Sequence, residues 1–319
     1  MQVIVKKTTE LPDDDIIQIN ILFKEIMAHE RDIKTFKDNY LNTPFGYSYH
    51  SMLFTDDGKL VGFHSCIPFY YQKDGERFIA ALGIDSMVAK EYRDYFHFRD
   101  MFMATQDELK EAGCKLRIGF PNDNSYQVLK KGFKYKDIGS LKTYILPIKI
   151  GSIKPFMGWL NPLSTLLANC LVGLSFLSKG NNERSFTYQK EETTFNMIRY
   201  KWYGGDYEIV ENGKMKYVYK NTIYAGVNSS FLLDYFPKTR TNFEKSIRDI
   251  YKREKKYAAV IFYIGDLNFN PLSMITIPKR FEPKHFNFTC LILQDKEFFD
   301  EGIYNIRNWD VNLSNYDLL

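Results

Sequence analysis

In the first 90 positions the apolar residues recur first with the spacing of two helices and then with the alternation of three strands. Helical spacing connects Ile16, Ile19, Phe23 and Ile26, and in a second, shorter run it connects Ile33, Phe36 and Tyr40. Strand-like runs follow at 47–55, 60–72 and 77–89. The turns between them contain Asp-Gly pairs, which tight β-hairpins prefer. The pattern therefore predicts two helices followed by three antiparallel strands.

A third helix, a strand, a short helix and a further strand are predicted up to residue 148. The helix has an apolar stripe, formed by Phe98, Phe102, Thr105, Leu109 and Ala112. Gly113 follows it, where a C-terminal glycine belongs. We expect the strands at 114–120 and 133–148, with a short helix at 125–131 between them.

The second half repeats this order in a weaker form. A helical segment at 195–200 precedes the glycine pair 204–205, and Asn212-Gly213 indicates a hairpin turn. The later elements are a helical stripe through Phe243, Ile247, Ile250 and Tyr251, a buried strand at 258–263 and a final strand at 309–313. We therefore expect an α/β fold with two mixed sheets flanked by helices. The expected domains are 1–150 and 191–319, joined by an apolar helical linker at 151–190.

The stretch from 155 to 177 contains no charged residue and is long enough to span a bilayer. It is interrupted by Pro155, Asn161, Pro162 and Asn169. We expect a helical linker buried between the two domains. Two alternatives remain, an interfacial segment in weak contact with a membrane through 155–178, and a true span.

Composition excludes some partners and sites. The 43 basic and 39 acidic residues give a net charge of +4 without a Lys/Arg block, so nucleic acid is not an expected partner. The four cysteines lie far apart without a metal-binding spacing, so we expect no metal site and mostly buried free thiols. The N-terminus lacks a continuous apolar leader, which indicates a cytoplasmic protein. The oligomeric state is left open.

The order of elements in residues 1–148 resembles that of the GNAT (Gcn5-related N-acyltransferase) superfamily. The local match is the run Gly119-Phe120-Pro121-Asn122-Asp123-Asn124-Ser125 with the exit Lys130-Lys131-Gly132-Phe133. The segment 87–93 is similar to the family's fourth strand and its continuation into the cofactor loop. The closing run at 309–313 resembles the ending of tandem GNAT-like proteins of bacteria.

The resemblance implies that acyl-CoA, above all acetyl-CoA, is the cosubstrate. In this family the pantetheine amides pair with the edge of the fourth strand, and the pyrophosphate lies on backbone N–H groups at the next helix N-terminus. Carried over to this sequence, the pairing residues are Met87, Val88 and Ala89. The loop residues are Arg93, Asp94, Tyr95, Phe96, His97 and Phe98, and Asn124 is a further cofactor contact.

The cofactor loop departs from the family pattern of Arg/Gln-x-x-Gly-x-Gly/Ala. Arg93 fits, but Phe96 and Phe98 occupy the two positions where glycine allows close approach of the phosphates. Asp94 adds a negative charge beside the expected pyrophosphate. The sequence therefore leaves open whether the loop binds CoA in the ordinary way.

Catalytic groups are also assigned by the resemblance. Asp85 on the fourth strand is the expected general base; His64, His97 and Glu30 are the other candidates. The family's usual tyrosine acid falls at Val128 in this chain, so Tyr126 is the substitute candidate.

The expected function is transfer of an acyl group, acetyl in the first instance, from CoA to an amine on a small molecule such as an amino-sugar precursor. Attack would occur on the thioester carbonyl between the fourth and fifth strands, with the oxyanion held by strand N–H groups. One alternative is a non-catalytic binding or scaffold protein of the same fold. Another is a tRNA-dependent aminoacyl transferase, which the small net charge disfavours.

Overall fold

The computed structural model describes residues 1–180, 182–201, 206–282 and 284–316. Within these ranges the side chains of Asn124, Pro155, Thr193, Thr194 and Met197 are not described. The predicted glycine pair 204–205 lies outside the described residues. The chain forms two units, each assembled from separate stretches. The first contains 1–139, 187–205 and 287–309, and the second contains 140–186, 206–286 and 310–319.

The first unit contains the predicted elements and one additional strand before them. Its helices are α1 (Asp13–Met27), α2 (Ile33–Leu41), α3 (Tyr95–Glu111), α4 (Asp123–Gly132) and α6 (Glu192–Arg199). Its strands are β1 (Gln2–Lys7), β2 (Tyr49–Phe54), β3 (Leu60–Lys73), β4 (Glu76–Val88), β5 (Cys114–Gly119), β7 (Tyr188–Lys190) and most of β13 (Phe286–Ile292). Strand β1 was not predicted, because it is at least partly exposed throughout and has no turn before it.

Local chemistry explains where these elements begin and end. Gly58 and Gly75 have φ near +85° in the hairpin turns, a conformation that L side chains rarely adopt. Asn122 begins α4 by accepting a hydrogen bond from the backbone N–H of Ser125 at 2.9 Å. Gly132 lies inside α4, where an added Cβ would approach the Tyr95 ring to 2.7 Å. The Lys-x-Gly-Phe exit thus permits close packing of α3 on α4.

The sheet of the first unit is mixed. Its strand order is β1-β2-β3-β4-β5-β13, and all neighbours are antiparallel except β4 and β5. The last strand comes from residues more than 160 positions after β5, since Thr289 pairs with Gly119. This return of the chain differs from the expected division into 1–150, a linker and 191–319. The strand 287–292 completes the first sheet and does not belong to a C-terminal domain.

Trp309 fastens the returning segment to the first unit. It is 1% exposed, and its ring lies 4.9 Å from that of Tyr188, 5.2 Å from that of Phe288 and 6.2 Å from that of Tyr71. Its indole N–H donates to the carbonyl oxygen of Ile303 at 2.8 Å. One side chain therefore joins three stretches of sequence that are far apart in the chain.

The second unit has a sheet of the same design. Its helices are α5 (Asn161–Leu174) and α7 (Arg240–Glu254). Its strands are β8 (Glu208–Asn212), β9 (Met215–Tyr224), β10 (Val227–Phe236), β11 (Val260–Gly265), β12 (Ile275–Thr276) and the later part of β6 (Lys136–Pro147). Strands β8, β9 and β10 are antiparallel, α7 follows, and β11 then pairs with β10 in parallel. This is the order of β2, β3, β4, α3 and β5, so the predicted repeat is present.

Two predicted features of the second half take another form. The segment 155–177 is helical, but it belongs to the second unit and is not a linker, and most of its apolar side chains are exposed instead of buried. The final strand expected at 309–313 is absent as a strand. Only isolated bridges form at Trp309 and Asn312, and a 3-10 turn begins at Leu313. Polar side chains of this segment bind elsewhere in the second unit, as described below.

Replacement of Trp309 by Ala is expected to destabilise the first unit by about 3–5 kcal/mol, because it leaves a large cavity among three aromatic rings. Urea unfolding followed by circular dichroism measures the change. Trp159→Ala is the matched control, since Trp159 is 76% exposed, and it should change stability by about 0.5 kcal/mol at most. Equal midpoints for the two variants would contradict the anchoring role of Trp309.

Candidate functional site

Strands β4 and β5 separate in the middle of the first sheet. Their parallel pairing ends at Leu82 and Ile118. Strand β4 continues to Val88, and among the described strands only β3 pairs with it beyond Leu82. The β5-facing edge of 83–88 therefore has backbone groups available to an extended ligand. Of the predicted cofactor residues, Met87 and Val88 lie on this stretch, and Ala89 follows it, donating its N–H to Val61.

A β-bulge marks the same stretch. One residue of β3, His64, faces two residues of β4, Asp85 and Ser86. Asp85 has φ +47°, a left-handed conformation that aspartate tolerates better than most residues. A bulge bends the strand that contains the extra residue. The bend therefore lies in the part of β4 that is separated from β5.

Asp85, the predicted general base, is held by two donors. Arg31 Nη1 and the Tyr40 hydroxyl each donate to Asp85 Oδ2 at 2.5 Å. Arg31 is 4% exposed in its side chain and lies over the Phe23 ring at 4.1 Å. Burial raises the pKa of Tyr40 well above its usual value, which keeps it a donor. Because both donors use Oδ2, the second oxygen, Oδ1, remains available to an incoming group.

A series of hydrogen bonds between side chains also reaches the bulge from the buried side. Arg117 on β5 is fully buried and donates through Nη2 to His64 Nε2 at 2.6 Å. His64 Nδ1 lies 2.8 Å from the Oγ of Ser86, which is exposed. The guanidinium also lies over the Phe102 ring at 3.7 Å and donates to the Phe102 carbonyl. These hydrogen bonds thus connect a buried cation, Arg117, to the Ser86 hydroxyl at the separated edge of β4.

The direction of these hydrogen bonds follows from the Arg117 guanidinium, which is the first donor in the series. A guanidinium can only donate, so His64 Nε2 accepts and Nδ1 of the neutral ring holds the proton. Burial, aided by the charge of Arg117, holds the pKa of His64 well below its usual value, so the ring is neutral at pH 7. His64 Nδ1 therefore donates to Ser86 Oγ. Since His64 is the one described partner of Ser86 Oγ, the Ser86 hydroxyl proton remains available to a ligand oxygen.

The N-terminus of α3, where the resemblance places the pyrophosphate, already holds a carboxylate. Asp94 is the N-cap of α3, and its side chain accepts from the backbone N–H of His97 at 2.7 Å. The His97 ring also lies 2.9 Å from the Asp94 carboxylate. The departure of Asp94 from the family pattern of the cofactor loop is therefore also visible in the structure. A side chain of the protein itself occupies an anion position at this helix end.

The other loop residues divide between core and surface. Phe98 packs against Phe102 and Phe133, as expected for the start of the apolar stripe. Tyr95 and Phe96 are exposed, Phe96 at 63%. Arg93 is exposed and donates from its guanidinium to the Val88 carbonyl, with the Nη2–O distance at 3.2 Å. The Arg93 charge is thus held at the end of β4.

Tyr126, the predicted acid, is engaged with other groups. Its hydroxyl donates to Asp137 Oδ1 at 2.7 Å, and Lys130 binds the other carboxylate oxygen of Asp137. The hydrogen bond to Asp137 is the main cause of a raised pKa for Tyr126. Asn124 lies in α4, and its side chain lies outside the described part of the chain.

The corresponding gap of the second unit is filled by the chain itself. Pairing of β10 with β11 ends at Leu232 and Tyr263, just before a bulge in β10. Asn312 Nδ2 and Ser314 Oγ donate to the carboxylate of Asp234 at 2.9 and 3.2 Å. Asn312 also bridges Gly265 of β11. The C-terminal segment therefore occupies the place between β10 and β11 that has no such occupant between β4 and β5 in the described residues.

Sequence reasoning missed Arg31, Arg117 and Ser86. Arg117 could have been found, because a charged residue between Leu116 and Ile118 in a buried strand is unusual and needs a partner. Ser86 had no such signal, because its position depends on the bulge. His64, one of the other candidates for the general base, is buried, and its contact with Ser86 connects it to the site.

The sequence matches no protein-family model and no curated protein. Solved structures do match. A GCN5-related N-acetyltransferase from Anabaena variabilis is 11% identical with a TM-score of 0.58, and the match covers 91% of this chain and 73% of that one. A probable N-acyltransferase of unknown function from Enterococcus faecalis is 13% identical with a TM-score of 0.59, covering 93% and 74%.

A third match is the N-myristoyltransferase of Saccharomyces cerevisiae with bound myristoyl-CoA. It is 11% identical with a TM-score of 0.52, covering 92% of this chain and 79% of that one. At such identities the likeness concerns the fold. This chain has the fold of the GCN5-related N-acetyltransferases, as the order of its elements predicted.

Two buried histidines should make the first unit sensitive to acid. Burial lowers the pKa of His50 to about 3 and that of His64 well below its usual value. The stabilising contribution of the two neutral histidines is complete above about pH 6.5. As the pH falls toward the folded-state pKa, the unfolded state takes up a proton on each ring and the folded state does not, so this contribution to the free energy of unfolding declines. Each of the two histidines should lower the free energy of unfolding by about 1.4 kcal/mol for each pH unit below about pH 6.

Urea unfolding at several pH values between about 7 and 4 tests this expectation. His50→Gln should flatten the dependence of unfolding free energy on pH relative to wild type. His29→Gln is the control, because His29 is an exposed histidine of the same unit. Identical slopes for wild type and His50→Gln would show that His50 is not held neutral.

Proposed function

We propose that the first unit is an acyltransferase that moves an acyl group from acyl-CoA to an amine. The observation that carries the proposal is the unpaired edge of β4 beyond Leu82, where the amides of a pantetheine arm can add as a further strand. The bound myristoyl-CoA of the yeast enzyme, which shares the fold, supports acyl-CoA as the donor. An acetyl group and an amino-sugar precursor are the finer donor and acceptor that we propose.

The groups at the bulge can perform the transfer. The amine nitrogen attacks the thioester carbonyl carbon, the carbonyl oxygen becomes an oxyanion, and the C–S bond then breaks to release the CoA thiolate. Asp85 Oδ1 takes the proton that the amine loses, directly or through one water. Tyr126 already donates to Asp137, so the thiolate receives its proton from solvent in this proposal. The atoms and charges of the reaction then balance without a further reactant.

The Ser86 hydroxyl is the proposed donor to the oxyanion. Its oxygen accepts from His64, which leaves its own proton to donate, and the buried cation of Arg117 polarises the chain behind it. Such preorganised donors stabilise the transition state more than the ground state. His64 and Arg117 are positioning residues in this scheme, because they act through Ser86.

The helix end at α3 fits the diphosphate of CoA less well than the β4 edge fits pantetheine. A phosphate there must displace the Asp94 carboxylate from the N–H of His97 or lie beside a like charge. Arg93, held at the Val88 carbonyl, is the cation that partly offsets this repulsion. We therefore propose weak CoA binding, with the acyl-pantetheine end contributing most of the affinity.

A non-catalytic role is the second candidate, and the Asp94 cap is the observation that favours it. A protein of this fold that had lost its cosubstrate would have no need for a free anion position at α3. In the second unit, where 310–316 fill the corresponding gap, we propose a structural role only. The experiments below distinguish the two candidates for the first unit.

Asp94→Asn should tighten CoA binding by about 3–10-fold, because asparagine keeps the helix cap and removes the negative charge. Calorimetric titration of acetyl-CoA at low salt measures the change. Asp100→Asn is the control; Asp100 is an exposed carboxylate of the same helix, paired with Arg99. Arg93→Glu should weaken binding. If neither wild type nor Asp94→Asn binds at about millimolar ligand, the proposed acyltransferase function fails and the non-catalytic role replaces it.

Ser86→Ala should lower kcat about 100-fold while KM for acetyl-CoA stays near wild type, because one transition-state donor is lost. Release of free CoA thiol with a panel of amino sugars provides the assay. Ser86→Thr, which keeps a hydroxyl, should restore most of the rate. Full activity of Ser86→Ala would show that the backbone alone holds the oxyanion.

A further inference from the structure

A band of exposed apolar side chains covers residues 153–177 of the second unit. Nine of the 22 large apolar residues that are exposed in the described chain lie here. They are Ile153, Phe156, Trp159, Leu163, Leu166, Leu167, Leu174, Phe176 and Leu177. Phe156 and Trp159 are exposed by 74% and 76%. Soluble monomers rarely expose so many neighbouring apolar groups unless they bind something. We call this surface the apolar band.

The opposite side of the same helix is fixed to the second unit. Ser164, Ala168 and Val172, spaced by four residues, are buried against its core. Ser164 Oγ and Thr165 Oγ1 donate to the carbonyl of Ile148 at 3.0 and 2.9 Å. The helix α5 is therefore docked in one orientation, with the apolar band turned outward.

Polar contacts hold α5 along its length. The Tyr251 hydroxyl on α7 donates to Asn169 Oδ1 at 2.7 Å. Near the C-terminal end, Arg248 donates to both oxygens of Ser175 and lies 4.3 Å over the Phe176 ring. These contacts fix the helix to α7 at both its middle and its end.

The geometry argues against a membrane span. By length and composition the segment Phe156–Leu177 could cross a bilayer. However, its α-helical part has 14 residues, about 21 Å long, against a hydrocarbon core of about 30 Å. Spanning would also break the contacts to Ile148, Asn169 and Ser175 and move buried polar groups into lipid.

The charged residues within and beside the apolar band along the sequence have one sign. No Asp or Glu occurs from 138 to 182, whereas four lysines do: Lys142, Lys149, Lys154 and Lys179. Lys149 Nζ donates to the Lys256 carbonyl, so the exposed Lys255 and Lys256 that follow α7 lie near Lys149. The three acids of α7 have partners within the second unit: Asp249 and Glu254 accept from Tyr217 and Tyr219, and Glu244 accepts from the backbone N–H groups of Leu272 and Ser273.

We propose that the apolar band docks in the plane of an anionic lipid bilayer, with α5 parallel to the surface. The exposed Phe, Trp and Leu side chains would enter the headgroup boundary, and the surrounding lysines would bind lipid phosphates. A second copy of the chain fits less well, because a symmetric contact would place one basic rim against another. The proposal does not depend on the acyltransferase function, because its test needs no activity.

The test uses the whole 319-residue chain and vesicle flotation. Vesicles of phosphatidylcholine alone are compared with vesicles containing about 30 mol % phosphatidylglycerol, at about 0.1 M salt. We expect binding to the anionic vesicles and at least about tenfold weaker binding to the neutral ones. Cys170 is the one exposed cysteine among the four and provides an internal probe. Its reaction with a water-soluble maleimide should slow on binding to anionic vesicles.

Matched variants separate the apolar and basic contributions. Trp159→Gln, Leu163→Gln and Phe176→Gln combined should abolish flotation, whereas the control set Ile209→Gln, Ile223→Gln and Phe281→Gln should not. All six side chains are exposed, so both proteins should stay folded. Lys154→Glu with Lys179→Glu should remove the preference for anionic vesicles. Lys59→Glu with Lys214→Glu makes the same change in net charge elsewhere and should leave it intact.

Three results would overturn the proposal. Wild type that stays in solution with anionic vesicles shows no lipid docking. A dimer that the Trp159→Gln set dissociates, with no vesicle binding, assigns the apolar band to a second copy. Binding that resists about 1 M salt and alkaline carbonate extraction indicates a span in place of in-plane docking.

Discussion

The separation of β4 from β5 is the constraint on which the candidate site depends. Two parallel strands that stayed paired would leave no backbone edge for an extended ligand. Here the bulge at Asp85 and Ser86 bends β4 three residues beyond its last pair with β5, which is at Leu82. Arg31 and Tyr40 hold Asp85 from one side. The Arg117–His64 pair holds Ser86 from the other, so the bend is fixed by buried polar contacts on both faces.

The two units show what this arrangement gains and loses. Each unit has two parallel strands whose pairing ends shortly before a bulge. In each unit a helix connects these two strands along the sequence. In the second unit Asn312 and Ser314 bind the Asp234 carboxylate together with Lys238, so the segment that fills the gap contributes to stability. In the first unit the described residues leave the edge unpaired, which costs stability and offers a binding surface. The difference assigns the chemistry to the first unit and the scaffold role to the second in our proposal.

Local patterns predicted most of the elements but not their assembly. The hairpins at Gly58 and Gly75 and the stripe of α3 could be predicted because turns and amphipathic helices depend on neighbouring residues. The return of 287–309 to the first sheet could not, because strand pairing across such a distance leaves no short-range signal. The same limit hid Ser86, whose role depends on a bulge. Asp94 was different, since its charge beside the expected phosphate site was visible in the sequence and has a structural counterpart in the helix cap.

The burial of Trp309 among Tyr71, Tyr188 and Phe288 has a consequence for biosynthesis. Chains are made from the N-terminus at about 5–20 residues per second, and early domains usually fold while later ones are still being made. Here the first 139 residues cannot complete their core until residue 309 has left the ribosome. The second unit begins only at residue 140, and it too is incomplete until 310–316 have been made, because they fill its gap. The part of the chain that is synthesised first therefore waits longest for its last stretch, and its aromatic surfaces need protection during that interval.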